Sequence, residues 1–180
     1  MPLRLPHEVL CKCCLREPDV WRIGSHDPSE WQVPSFTDHP ITQARGIENT
    51  KPIGCYTDKV VLHENDGFYR LSVGLTWRRS RHTCFSVLSS MMCQCGCNGH
   101  CTLDVVQVIT IWSLNCCQRG FEPVCRHDGS PWGPRDVERA ARSGRALPMG
   151  FCAVTEYRAD WPERAAASGI KNHSGDRPCM

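Results

Sequence analysis

From Phe68 to Trp77 the chain alternates strictly, with Phe68, Arg70, Ser72, Gly74 and Thr76 on one side and Tyr69, Leu71, Val73, Leu75 and Trp77 on the other. A period of two with one apolar face is the signature of a half-buried β-strand. The stretch from Ile53 to Leu62 is rich in strand formers and is followed by the turn tripeptide Asn65-Asp66-Gly67. Thr83 to Leu88 offers a third strand, so an antiparallel meander is expected. The period then changes. Over Thr102 to Gln118, Asp104, Gln107, Asn115 and Gln118 fall on one helical stripe, opposite Val105, Val108, Ile109, Trp112 and Cys116. This predicts a largely buried helix, capped by Thr102 and closed at Arg119-Gly120. The β-branched residues of Val105 to Ile111 make a strand the competing reading. Pro134 to Ser143 carries a weak surface-helix pattern, Met149 to Tyr157 reads as a fourth strand, and Asp160-Trp161-Pro162-Glu163 opens a short alanine-rich helix that stops at Gly169. Ahead of all this, Pro2, Pro6, Pro18, Pro28, Pro34 and Pro40 leave no room for a long helix. Residues 1–50 are therefore expected to form an irregular arm, and 51–180 one domain of the α/β (α+β) class in the order β-β-β-α-(α)-β-α.

Composition narrows the choice. A chain of 180 residues that is 41% hydrophobic can bury one real core. Its 21 basic and 19 acidic residues give a formal charge of +2, which excludes a general basic field. A nucleic-acid partner, DNA in particular, would need a local patch, and Arg78, Arg79, Arg81 and His82 supply the candidate. The first ten residues lack the apolar run of a secretory signal, and no window approaches the ~20 apolar residues of a membrane span. An intracellular protein with no membrane partner is expected. G-x-S-x-G, phosphate-loop and H-E-x-x-H elements are absent, so no small-molecule substrate is evident. Oligomeric state leaves no mark on the sequence.

Cysteine changes the picture most. Fourteen are present, and four of them stand in Cys93-Gln94-Cys95-Gly96-Cys97-Asn98-Gly99-His100-Cys101. In a reducing compartment, such a cluster points to thiolate–metal chemistry ahead of disulfides. Zinc takes four ligands in a tetrahedron, and the interleaved glycines let the backbone wrap tightly. The usual pattern is two C-x₂₋₄-C pairs, so the tighter C-x-C-x-C-x₃-C is sterically demanding. Candidate ligands are Cys93, Cys95, Cys97 and Cys101, with His100 or a distant Cys84, Cys125 or Cys179 as alternatives for one of them. Free thiols in a tight loop are the plainer reading. Cys11-Lys12-Cys13-Cys14 lacks a clear fourth ligand, and Cys55, Cys84, Cys116, Cys117 and Cys152, set among apolar residues, read as core. Arg126-His127-Asp128-Gly129 sets an imidazole beside a carboxylate but is first of all a turn.

Two acids carry the remaining chemistry. Asp58 lies inside the first strand, and Asp160 follows the fourth. In a ribonuclease-H-like sheet the first strand lies beside the fourth, so these two would meet and could hold Mg²⁺ for phosphoryl transfer. Singly, Asp58 reads as a solvated edge-strand acid, and Asp160 with Glu163 as a helix capping box.

Cys55-Tyr56-Thr57-Asp58, the cluster from Cys93 to Leu103, Trp112-Ser113, Arg126-His127-Asp128-Gly129 with Trp132, Ala159-Asp160-Trp161-Pro162-Glu163 and Pro178-Cys179 together resemble an uncharacterised cysteine-rich family multiplied in dinoflagellate genomes. The resemblance runs from about Phe36 to the C-terminus, and the family's multiplication suggests mobile elements. More faintly, the chain is similar to DDE transposases with a ribonuclease-H-like core, which implies Asp58 as first acid and Asp160 as second. Asp58-Lys59 departs from that family's Asp-Gly, and Met180 is reached before the helix that would bring a third acid. The resemblance therefore implies a transposase-derived nuclease-like domain that is truncated or inactive, with nuclear DNA as its partner. A non-catalytic zinc-stabilised interaction module is the alternative.

Overall fold

The protein is described by a computed structural model over residues 3–63, 66–78, 81–97 and 99–159. Four strands form one mixed sheet: β1 (Thr50–His63), β2 (Asp66–Leu75), β3 (His82–Leu88) and β4 (Phe151–Ala159), in the order β3-β2-β1-β4. The meander read from the sequence is present, because β2 pairs antiparallel with both β1 and β3. β4 lies parallel to β1, in a register running from Thr50 opposite Phe151 to Thr57 opposite Ala159. Flanked on both sides, β1 is buried from Thr50 to Thr57, as a central strand covered on both faces should be. The predicted apolar face of β2 goes inside, with Tyr69, Leu71, Val73 and Leu75 all buried, and Ser72 and Gly74 of the other face are buried as well. Of the expected turn, Asn65 lies outside the described residues, and Asp66 and Gly67 already belong to β2.

Two layers sandwich the sheet. Consecutive residues of a strand point to opposite faces, and Cys152 and Ala153 of β4 enter separate apolar clusters. Cys152 joins the larger cluster, with Leu10, Cys14, Val73, Phe85, Cys117 and Met149. It lies under two helices, α1 (Pro6–Arg16) and α5 (His100–Arg119). Ala153 joins Ile23 and Phe36 beneath the short helices α2 (Pro28–Trp31), α3 (Pro34–Thr37) and α4 (Pro40–Arg45). A last short helix, α6 (Val137–Arg142), lies in the long connection between α5 and β4.

Residues 1–50 are more than an irregular arm. The prolines were expected to exclude a long helix, yet α1 runs for 11 residues. Pro6 sits at its first position, where a missing N–H costs nothing and φ is already helical, and the next proline follows only after the helix has ended. α1 buries His7, Val9, Leu10, Cys11 and Cys14. The N-terminal segment thus supplies core on both faces of the sheet.

Helix α5 forms where the helical period predicts it, but in a different rotational phase. Val105 and Val108, expected inside, are 57% and 56% exposed, while Cys116 of the same expected face is buried. Thr110, Ser113 and Cys117, outside the expected face, are buried with it, and Leu103, Val106 and Leu114 pack against the core. Apolar residues occur nearly all round this helix, so the polar stripe alone could not select the face that meets the sheet. The helix expected from Asp160 lies outside the described residues.

Candidate metal centre at the start of helix α5

Between β3 and α5 the chain makes a tight loop, and Gly96 and Gly99 are the residues that permit it. Both adopt left-handed φ, +88° and +85°, a region where a Cβ would clash with the backbone. Gly99 is the N-cap of α5 and offers no side-chain cap of its own. Thr102, the expected cap, is engaged elsewhere. Its hydroxyl accepts from the Cys93 N–H at 2.9 Å, pinning the start of the loop to the first turn of the helix. The His100 N–H donates to the Cys97 carbonyl at 3.0 Å, closing the loop from within.

This path brings the Sγ atoms of Cys93, Cys95, Cys97 and Cys101 within 4.8 Å of one another. A tetrahedral metal with sulfur bonds of ~2.3 Å requires sulfur–sulfur edges of about 3.8 Å, and Cys95 and Cys101 stand 3.8 Å apart. The four thiols could therefore hold a metal ion with small side-chain rotations. The start of α5 also favours negative sulfur. The Cys101 N–H donates to Cys97 Sγ at 3.4 Å. This bond, with help from the Cys95 thiol, draws the Cys97 thiol down to about 6. The same sharing pushes Cys101 up to about 12, through its hydrogen bonds to Cys97 and then Cys95. One thiolate is thus favoured by its neighbours' protons, and the thiolate is the form of cysteine that ligates a metal. His100 is exposed at the first helical position and is not part of the four-sulfur group. Cys84 is buried in the main core, and Cys179 lies outside the described residues.

The other expected residues are dispersed. Asp58 is half exposed on β1, and its Oδ2 is 3.5 Å from the guanidinium of Arg70, its cross-strand partner. Asp160 lies outside the described residues, as does Arg79. Arg78 pairs with Glu17 at 2.8 Å and shares a narrow cleft with His82. Arg81 lines a different cleft of about 510 Å³, where its guanidinium covers the Tyr56 ring at 3.9 Å. The basic run is therefore divided between two clefts. In the second cleft Tyr56 donates its hydroxyl to Glu156 at 2.9 Å; burial, then that carboxylate, pushes the phenol up to about 12. Arg126-His127-Asp128-Gly129 is the expected turn, with Asp128 accepting from the backbone and hydroxyl of Ser130.

A buried polar group escaped sequence reading. The Ser113 hydroxyl lies 2.7 Å from His7 Nδ1 and accepts the His7 backbone N–H at 3.0 Å, while His7 Nε2 lies 3.6 Å from Glu122. Serine, histidine and glutamate in contact evoke nucleophilic catalysis, but Ser113 is wholly buried and His7 is 1% exposed, so no substrate reaches them. Burial draws the His7 imidazole down to about 4; Glu8 opposes this, and Arg139 and Arg142 add to it. His7 and Ser113 are 106 residues apart, a separation over which spacing carries no signal.

Comparison with known protein families, curated proteins and solved structures finds no match for this chain.

Proposed function

We propose that the protein is a non-catalytic interaction module stabilised by a structural zinc ion held by Cys93, Cys95, Cys97 and Cys101. The observation that carries this reading is the convergence of four thiol sulfurs within 4.8 Å at a helix start. An all-sulfur donor set suits zinc, and a site closed by four protein ligands leaves no position for water or substrate, the mark of a structural site. Zinc there cross-links the β3–α5 loop to the first turn of α5, where backbone bonds and the Thr102 hydroxyl are the other ties. Metal analysis of protein purified without chelator tests the reading: one zinc per chain and loss of structure on chelation are expected. A metal-free chain that is equally stable ends it.

The second reading, a transposase-derived and inactive ribonuclease-H-like remnant, is favoured by the strand order. β1 lies beside and parallel to β4, and the last described pair, Thr57 and Ala159, immediately precedes Asp58 and Asp160 in sequence. Asp58 engaged by Arg70 weighs towards inactivity even if Mg²⁺ and DNA bind. A crystal structure placing the two carboxylates more than about 8 Å apart, beyond the bridging reach of ligands ~2.1 Å from one Mg²⁺, removes this reading and leaves the first intact.

A further inference from the structure

A cleft of about 680 Å³ separates α1 from the segment that runs through α6 to Pro148. It lies outside the thiol cluster and outside the polar cleft around Asp58. The stripe of α1 that lines it carries Glu8, Lys12 and Leu15, one turn apart from each to the next; the opposite wall carries Arg135, Val137 and Arg145.

The charges in this cleft do not cancel. Arg139 grips Glu8 with two nitrogens, at 2.8 and 3.2 Å, and reaches Asp136 at 3.3 Å with the third. Arg142 Nε donates to Glu122 at 3.1 Å, and Arg126 holds Asp136 through two bonds. Three of the lining carboxylates are thus already neutralised by guanidinium groups that are themselves half buried. Lys12, Arg135 and Arg145 remain, exposed and without an ion-pair partner among the described residues, against the single unpaired carboxylate of Glu138. The walls are amphipathic as well. Leu15 is 71% and Val137 68% exposed; Leu15 shares the α1 wall with Lys12, and Val137 shares the opposite wall with Arg135 and Arg145. A large exposed apolar side chain is unremarkable alone. Two of them in one cleft with three unpaired cations give that concave surface an apolar part and a cationic part together.

We propose that this cleft binds a phosphate monoester carried on a short apolar body. The phosphate lies among Lys12, Arg135 and Arg145, and the body lies against Leu15 and Val137. A dianionic head offsets the surplus positive charge, and Arg, with its forked donors, suits tetrahedral oxyanions. The volume falls within the range of small-ligand sites. Such a head group comes from a soluble ester or from a phosphatidic acid surface, and the two sources share the same recognition chemistry.

The test titrates the full, zinc-supplemented chain with hexyl phosphate while ¹H–¹⁵N resonances are recorded. Saturable shifts centred on Lys12, Leu15, Val137 and Arg145 are expected, with inorganic phosphate and hexanol each binding at least about tenfold more weakly because each lacks one half of the contact. Lys12→Glu with Arg145→Glu should lose the tighter binding, and Leu15→Ser should bring hexyl phosphate down towards inorganic phosphate. All three residues are exposed, and the resonance map of the unaltered chain decides the location independently if a variant fails to fold. Vesicles of phosphatidylcholine with phosphatidic acid separate the sources: binding abolished by the charge reversal assigns the lipid, and hexyl phosphate binding without vesicle binding assigns the soluble ester. No saturable binding, shifts located elsewhere, or binding indifferent to the charge reversal overturns the proposal.

Discussion

The two ends of helix α5 are held by opposite means. At its C-terminal half Thr110, Ser113, Cys116 and Cys117 are buried, Ser113 is bonded to His7 of α1, and the Leu147 N–H returns to the Gly120 carbonyl just past the helix. At its N-terminal end Cys95, Cys101, Val105 and Val108 are exposed, and the cap is a glycine without a side chain. Cysteine serves both ends, but only Cys97 of the loop is favoured as a thiolate, its neighbour Cys101 being pushed up to about 12. In the core, burial pushes the thiols of Cys11, Cys55 and Cys84 up to about 12, so they stay protonated and behave as small apolar residues. In the loop, a helix-start N–H favours the Cys97 thiolate. The contrast shows that residue type does not decide what a thiol does; the polarity of its surroundings and the number of neighbouring sulfurs do.

The comparison breaks most sharply through the metal. Cys97→Ser should reduce bound zinc to well below one per chain and lower the thermal midpoint by about 10 °C, whereas Cys117→Ala should leave the zinc content unchanged. Equal zinc content in both variants, read by metal analysis, would dissolve the distinction between the two ends.

Acid should act on the C-terminal half. His7 has a folded pKa of about 4, below its ordinary 6.5, so between these values the unfolded chain takes up a proton that the folded chain refuses. Stability is therefore full above pH 6.5 and falls as the pH drops towards 4, by up to about 3 kcal/mol from this group. Glu8, held down by the Arg139 guanidinium against the cost of its burial, adds a loss at lower pH. Urea titrations of wild type and His7→Gln across this window should show a flatter profile in the variant; parallel profiles would place the acid sensitivity elsewhere.

Cys152 is fully buried in the main core, opposite Lys51 of β1. Cys152→Ser puts a hydroxyl among apolar groups and should cost about 2 kcal/mol in urea unfolding. Cys95→Ser at the exposed loop should cost next to nothing in chelator-treated protein and become harmful only when zinc is supplied. Gly99→Ala should cost about 1 kcal/mol: φ of +85° strains any residue with a Cβ. The nearest obstacle, Met92 Sδ at 2.6 Å, is the flexible end of a side chain and can move. A larger loss, with zinc content also reduced, would show that the cap sets the thiol geometry.

Much of the sheet was legible because alternation is a local property. β2 shows its more apolar face in the order of its residues, and Cys93 to Cys101 announces a cluster of thiols by proximity in sequence. The rotational phase of α5 was not legible, since Val105, Val108 and Ile111 are as apolar as the residues that went inside; only the positions of α1 and β4 selected among them. The His7–Ser113 bond, the division of Arg78 and Arg81 between two clefts, and the cationic surplus between α1 and α6 depend on segments distant in the chain.

Sequence alone therefore determined where the four strands and helix α5 form, that three strands would make a meander, and which thiols would gather, because turn chemistry, side-chain periodicity and short spacing act over a few residues. The tertiary structure decided that β4 would lie parallel to β1, that α1 would complete the core, which face of α5 would be buried and which charges would be left unpaired. Those outcomes follow from the competition of whole surfaces for burial, which no short stretch of the chain contains.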